Sequence, residues 1–212
     1  MSEAGWIAEI GKGKYRHRFG GTGWKATGPL DDSYGPPILI LTLDLHDPRL
    51  VGLKAKGNDC RELPLFSYIN GMFEDFQSYS LDHTNNTAIF DSASPLSGKI
   101  EPLEICPNPL PTRDLKLRPM KPTEFPKNED AADTLLGEGW LRILGLPLWL
   151  YDEESHQSSR GGAMKYVASV GYDITDPSPF LDEPDILMFG EMALYFFVSD
   201  DLSEVVVSYQ ST

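Results

Sequence analysis

From Ile38 to Leu45 the chain alternates at period two, with Leu39, Leu41, Leu43 and Leu45 on one side and Ile38, Ile40, Thr42 and Asp44 on the other. This is the spacing of a strand with one face on a core. Met164, Tyr166, Ala168, Val170, Tyr172 and Ile174 alternate in the same way with Lys165, Val167, Ser169, Gly171 and Asp173, so a second strand is expected there. Met192–Val198 has no polar interruption and predicts a strand buried on both faces. Ser199-Asp200-Asp201 then predicts a turn, and Glu204–Gln210 the returning arm of a hairpin. One short helix is expected, capped by Asn128, with Glu129 and Asp130 at the positive end of its dipole, and closed by Gly137.

Leu43-Asp44-Leu45-His46-Asp47-Pro48 and Tyr172-Asp173-Ile174-Thr175-Asp176-Pro177 share one pattern: apolar, Asp, apolar, any residue, Asp, Pro. Acidic residues near a proline follow both, in Glu62-Leu63-Pro64 and Asp182-Glu183-Pro184. We read an internal duplication. Asp47 and Asp176 are expected to end their strands by accepting hydrogen bonds from turn amides. Between the copies, residues 102–126 hold seven of the 17 prolines, which predicts an extended connector, 99–127, without a long helix or a central strand. The fold class expected is α+β but β-dominated: one compact domain of two related halves, about 15–98 and 128–212.

With 212 residues, 41% of them apolar and 11% aromatic, the chain is able to bury a substantial core. No apolar run approaches the roughly 20 residues that span a bilayer, and Met1–Gly11 lacks the pattern of a secretion signal. A cytoplasmic protein is expected, with Cys60 and Cys106 as reduced thiols. The net charge is −14, and residues 128–212 carry 16 Asp and Glu against only Arg142, Arg160 and Lys165. Such asymmetry favours a basic partner for that part of the molecule.

Chemical motifs are few. Gly21–Ala26 fits G-x-G-x-x-A but follows no buried strand, so a turn is expected there, and Gly11–Lys14 is out of register for a phosphate loop. His17, His46, His83 and His156 show no metal-ligand spacing, although His46 and His83 are far enough apart in sequence to converge in space. Neither a G-x-S-x-G elbow nor an activated cysteine is visible. Asp173, Asp176, Asp182, Glu183 and Asp185 carry the oxygen ligands that Ca²⁺ favours, but their spacing fits no EF-hand loop, so a solvated acidic loop is expected. Lys12–Arg18 mixes cations with an aromatic, as nucleic-acid binders do, yet the overall charge repels phosphate. No catalytic residue, metal or cofactor is therefore assigned.

Gly145–Leu150, Met164–Ile174, Met188-Phe189-Gly190-Glu191, Leu194–Val198 and Ser208-Tyr209-Gln210-Ser211 follow one another in an order that resembles the YwqG-like family (domain of unknown function 1963). There a G-x-P aromatic segment, a strand ending in an acidic residue, a W/F-G-D turn, an L-Y-F-F strand and a terminal strand with Gln occur in that sequence. The resemblance covers residues 140–211 and, as a degenerate repeat, 36–81. Glu191 stands where the family has Asp, and the Gln usual in the first of these strands is missing. The resemblance implies two related halves and, for some members, service as immunity proteins against antibacterial toxins. The expected function is thus a non-enzymatic immunity protein that occludes a basic toxin. Its acidic loops would be Asp152, Glu153 and Glu154; Asp182, Glu183 and Asp185; and Asp200 and Asp201, with Trp149, Tyr151 and Phe180 as anchors. The alternative is an enzyme or small-molecule binder with a pocket between the halves, built on Asp44, His46, Asp173 and Glu191.

Overall fold

The computed structural model describes residues 5–28, 36–53, 60–68, 71–73, 76–91, 96–99, 109–121, 141–147, 149, 153–171 and 192–211. Its strands, in chain order, are β1 (Trp6–Ile10), β2 (His17–Phe19), β3 (Lys25–Thr27), β4 (Ile38–Asp44), β5 (Glu62–Ser67), β6 (Gly71–Phe73) and β7 (Phe76–Asp82). They continue with β8 (Thr87–Phe90), β9 (Leu96–Lys99), β10 (Arg113–Pro119), β11 (Leu141–Ile143), β12 (Lys165–Gly171), β13 (Met192–Val198) and β14 (Glu204–Ser211). Among the described residues a 3-10 turn, Pro48–Leu53, is the only helical element. The chain is β-dominated, and twelve strands form one sheet in the order β3-β8-β7-β14-β13-β12-β11-β1-β10-β2-β4-β5. β6 and β9 pair separately.

The expected hairpin is β13 with β14, paired from Met192 opposite Ser211 to Val198 opposite Val205. An uninterrupted apolar strand has to bury both faces, and β13 does. Leu194, Phe196 and Val198 enter the main core, while Ala193, Tyr195 and Phe197 join Val206 in a second cluster on the outer face. β4 was expected to bury one face, but all seven of its residues are buried, Thr42 and Asp44 included. It lies between β2 and β5, and the turn that follows it folds back beside the sheet.

The proline-rich stretch requires a correction. Arg113–Pro119, expected to be connector, is β10 and lies inside the sheet between β1 and β2. Pro111 and Pro119 bracket seven residues that contain no proline, so every amide from Arg113 to Arg118 is able to join a ladder. Within that run Leu115 and Leu117 are buried and their neighbours are not, the alternation of a true strand. Counting prolines over 25 residues concealed it. The two halves also interleave: β2, β4 and β5 of the first end the sheet on one side, β3, β7 and β8 end it on the other, and β11–β14 of the second lie between. β4 and β12 are each the middle member of an antiparallel triplet, and each carries a bulge. The Asp173–Pro177 turn of the second copy and the helix expected from Asn128 lie outside the described residues.

The two ends of the sheet approach each other and nearly close it. Across this seam the Phe66 ring of β5 meets Tyr79 of β7 at 6.2 Å and Phe90 of β8 at 6.4 Å, both edge-on. The Phe66 amide donates to the Tyr79 hydroxyl at 2.8 Å. As β5 ends the sheet, Pro64 removes no ladder bond from its open side. Where β2 ends, Gly20 has φ +62°, and an added Cβ would lie 2.5 Å from the Pro111 carbonyl oxygen, so only glycine fits. Replacing Tyr79 with Phe strands a buried amide donor. The expected loss is about 1–3 kcal/mol in urea denaturation; an unchanged midpoint would mean that the seam does not depend on this bond.

Candidate functional site

The first copy of the duplicated pattern builds a buried polar network. The Asp44 amide donates to His17 Nδ1 at 3.1 Å, so the imidazole carries its proton on Nε2, which donates to Asp47 Oδ2 at 2.8 Å. The side chains of His17 and Asp47 have no exposure at all. Arg49 donates its amide and Nε to Asp47, and its Nη1 to the Leu117 carbonyl of β10 at 2.7 Å. Its guanidinium sits over the rings of Trp6 at 5.2 Å and Tyr15 at 5.7 Å.

The electrostatics follow from this geometry. Burial raises the Asp47 carboxyl, but the Arg49 guanidinium and amide and the His17 ring outweigh burial and hold it below the ordinary carboxylate range. Burial pushes His17 down against the pull of Asp47 and keeps it neutral. For Asp44, the upward push of burial is overcome by the amides of Arg16 and His46 and by the His46 ring. With both ring nitrogens engaged and no exposure, His17 has no atom to offer a substrate. The network is a strut that joins β2, β4, the 3-10 turn and β10. Asp47 caps that turn through the Arg49 amide, the scaffold role expected for the second Asp.

Two acidic segments lie along the β13–β14 hairpin. The turn Ser199–Ser203 closes the β13–β14 hairpin around Asp201, whose carboxylate accepts from Ser203, Ser199 and Arg160. Those bonds, Ser203 first, hold it down at about 2. Ser159 donates its amide and hydroxyl to Glu204, and Gln210 Nε2 donates to Glu154 at 3.0 Å, so the segment 153–163 is fastened along β14. His156 is packed between Phe76 at 5.6 Å and Phe197 at 4.7 Å, with Nε2 on Glu154. Asp200 is 77% exposed beside Lys165, and Glu153 is exposed. Asp200, Asp201 and Glu204 thus lie at the turn end of the hairpin with Arg160 and Lys165, while Glu154 lies at the other end of β14, beside Gln210.

The other expected interface residues fall differently. Trp149, expected to be an exposed anchor, is half-buried against Tyr195 and Phe197 in the second apolar cluster. Tyr151, Asp152, Phe180, Asp182, Glu183 and Asp185 lie outside the described residues, as do Asp173, Asp176 and Glu191. Of the alternative set, Asp44 is buried and His46 is exposed beside it. His46 and His83 are engaged separately, His83 Nε2 donating to the Leu202 carbonyl at 2.9 Å.

A cleft of about 450 Å³ at the seam is lined by Trp24, Cys60, Arg61, Glu62, His83 and Asn86. Glu62 accepts from Arg18 at 2.8 Å and from Trp24 Nε1 at 3.3 Å, which closes one wall. No sequence spacing announces this cleft or the role of His17, because their members come from β2, the residue before β3, the start of β5 and the β7–β8 turn. Among the described residues no group of three His, Cys, Asp or Glu is placed to hold a metal ion. No helix of the described residues is long and apolar enough to cross a membrane. No family model, curated protein or solved structure matches the chain.

Proposed function

We propose that the chain is a protein-binding module that docks a basic partner at the end of the sheet where the 153–163 segment meets the 199–203 turn. In its full form this reading is a non-enzymatic, cytoplasmic immunity protein that occludes the active site of a basic toxin domain, as the likeness to the YwqG-like family implies. The observation that carries it is the acidic excess of residues 128–212, part of which is displayed on loops fastened by Glu204, Glu154 and Asp201. Loops already ordered lose little entropy on docking. Exposed carboxylates accelerate the encounter with a cationic surface, by up to about 10³-fold at low salt.

The test uses the product of the neighbouring gene as partner. Raising salt from about 0.05 to 0.5 M is expected to slow association at least about tenfold. Glu153→Ser with Asp200→Ser is expected to slow it further while leaving the thermal midpoint in place, since both side chains are exposed. Association that ignores salt and tolerates the double variant would remove the charge argument.

A further inference from the structure

The seam that Phe66 closes against Tyr79 and Phe90 opens toward the start of β5 as the cleft of about 450 Å³. Arg61 and Glu62 line one side of it, and Trp24, His83, Thr84 and Asn86 the other. All of them belong to the first half of the chain, so this is not a pocket between the halves. Small-molecule sites occupy roughly 300–1,000 Å³, and the cleft falls in that range, well above what a lone inorganic ion fills.

The carboxylates here are already engaged. Glu62 accepts from Arg18 through one oxygen and from Trp24 Nε1 through the other. Asp82, in the adjoining turn, accepts the amides of Thr84 and Asn85 and the Asn85 side chain. Trp24, 5% exposed, meets the His83 ring edge-on at 5.3 Å. The Leu202 carbonyl can only accept, so His83 carries a proton on Nε2, and in the neutral ring Nδ1 is left as an acceptor. Asn86 stands at φ +50°, held there by the Lys25 amide on its carbonyl, and its side-chain amide is exposed. Arg61 and Thr84 are exposed too, and no carboxylate of the described residues pairs with Arg61. The cleft thus offers one unmatched cation, an amide, a hydroxyl and an imidazole acceptor.

We infer that this cleft binds a small carboxylic acid bearing hydroxyl groups, of the sugar-acid class. A guanidinium presents two parallel N–H groups to a carboxylate. A phosphate monoester would bring about 1.5 to 2 negative charges to a lining with a single unmatched cation, whereas a carboxylate brings one. The ammonium of an amino acid would find Glu62 already taken. Hydroxyls on the body of the acid donate to His83 Nδ1 and accept from Thr84 and Asn86. The net charge of −14 opposes anions at long range, but beyond about 8 Å it is screened at physiological salt, and the local lining governs. The inference is independent of docking at the hairpin.

The probe is gluconate, titrated into the intact chain at fixed ionic strength while the Trp24 indole N–H and the amides of Arg61 and His83–Asn86 are followed by NMR. Saturable shifts are expected at these positions. Sorbitol, which keeps the hydroxyls without the charge, and hexanoate, which keeps the charge without the hydroxyls, are each expected to bind at least about tenfold more weakly, and glucose 6-phosphate more weakly than gluconate. Arg61→Gln is expected to weaken gluconate about tenfold or more, and Asn86→Gly, which tolerates the positive φ but lacks the amide, to weaken it several-fold. Unchanged thermal midpoints establish that both variants are folded. Absence of saturable shifts with gluconate, or full binding retained by folded Arg61→Gln, would overturn the site. Equal binding of sorbitol or hexanoate, or tighter binding of glucose 6-phosphate, would overturn the ligand class.

Discussion

Replacing Asp47 with Ala is expected to destabilise the fold by about 3–5 kcal/mol, the cost of removing one partner from a buried ionic network. Asp47 has no exposed side-chain surface and is the shared acceptor for His17 Nε2 and for the Arg49 amide and guanidinium. Without it the imidazole N–H is buried with no acceptor, the 3-10 turn loses its cap, and Arg49 keeps only the Leu117 carbonyl and two rings. Against a total stability of about 5–15 kcal/mol this is a large fraction. A shift of the urea midpoint at constant slope is the measurement. Asp201→Ala also removes several hydrogen bonds, but in a turn where that carboxylate is 49% exposed, and water replaces much of what is lost, so a smaller effect is expected. Equal losses at the two positions would refute the strut.

Lowering the pH is expected to weaken the fold in two steps. Burial holds folded His17 below its ordinary value of 6.5, so the unfolded chain takes up the proton first. The stability that neutral His17 contributes is therefore complete above about pH 6.5 and declines as the pH falls toward the folded value, by about 1.4 kcal/mol for each unit between the two. Asp44 and Asp47 are held below their ordinary 3.8, Asp47 chiefly by Arg49 working against burial, so their contribution is present above that value and is lost below it. His17→Gln offers the same kind of donor and acceptor without a charge to gain. It is expected to abolish the first step, which begins below about pH 6.5, and keep the second. A variant whose stability still declines as the parent's does across the first window would show that His17 is not its source.

How much of this was legible before folding depends on the distance over which each feature is encoded. The β13–β14 hairpin is written in adjacent residues: an apolar run, Ser199-Asp200-Asp201, and a second β-rich run, so local pattern was enough. The turn after β4 was legible for the same reason, since Asp47 caps amides only two residues away. β10 was not, because proline content was averaged across a window that contained a clean alternating strand. Trp149 illustrates a different limit: whether an aromatic is an anchor or a core residue depends on Tyr195 and Phe197, which are more than forty positions away.

The β-dominated class, the hairpin, the capping role of Asp47 and the acidic excess of residues 128–212 can be read from the residues alone, because period, turn chemistry and charge are properties of neighbouring residues or of simple sums. That His17 and Arg49 converge on Asp47, that the two halves interleave in one sheet, and that Glu154, Asp201 and Glu204 take part in fastening the 153–163 segment along the hairpin follows from folding in three dimensions. Each of these depends on contacts between positions far apart in the chain, which register and closure of the sheet bring together and local pattern does not encode.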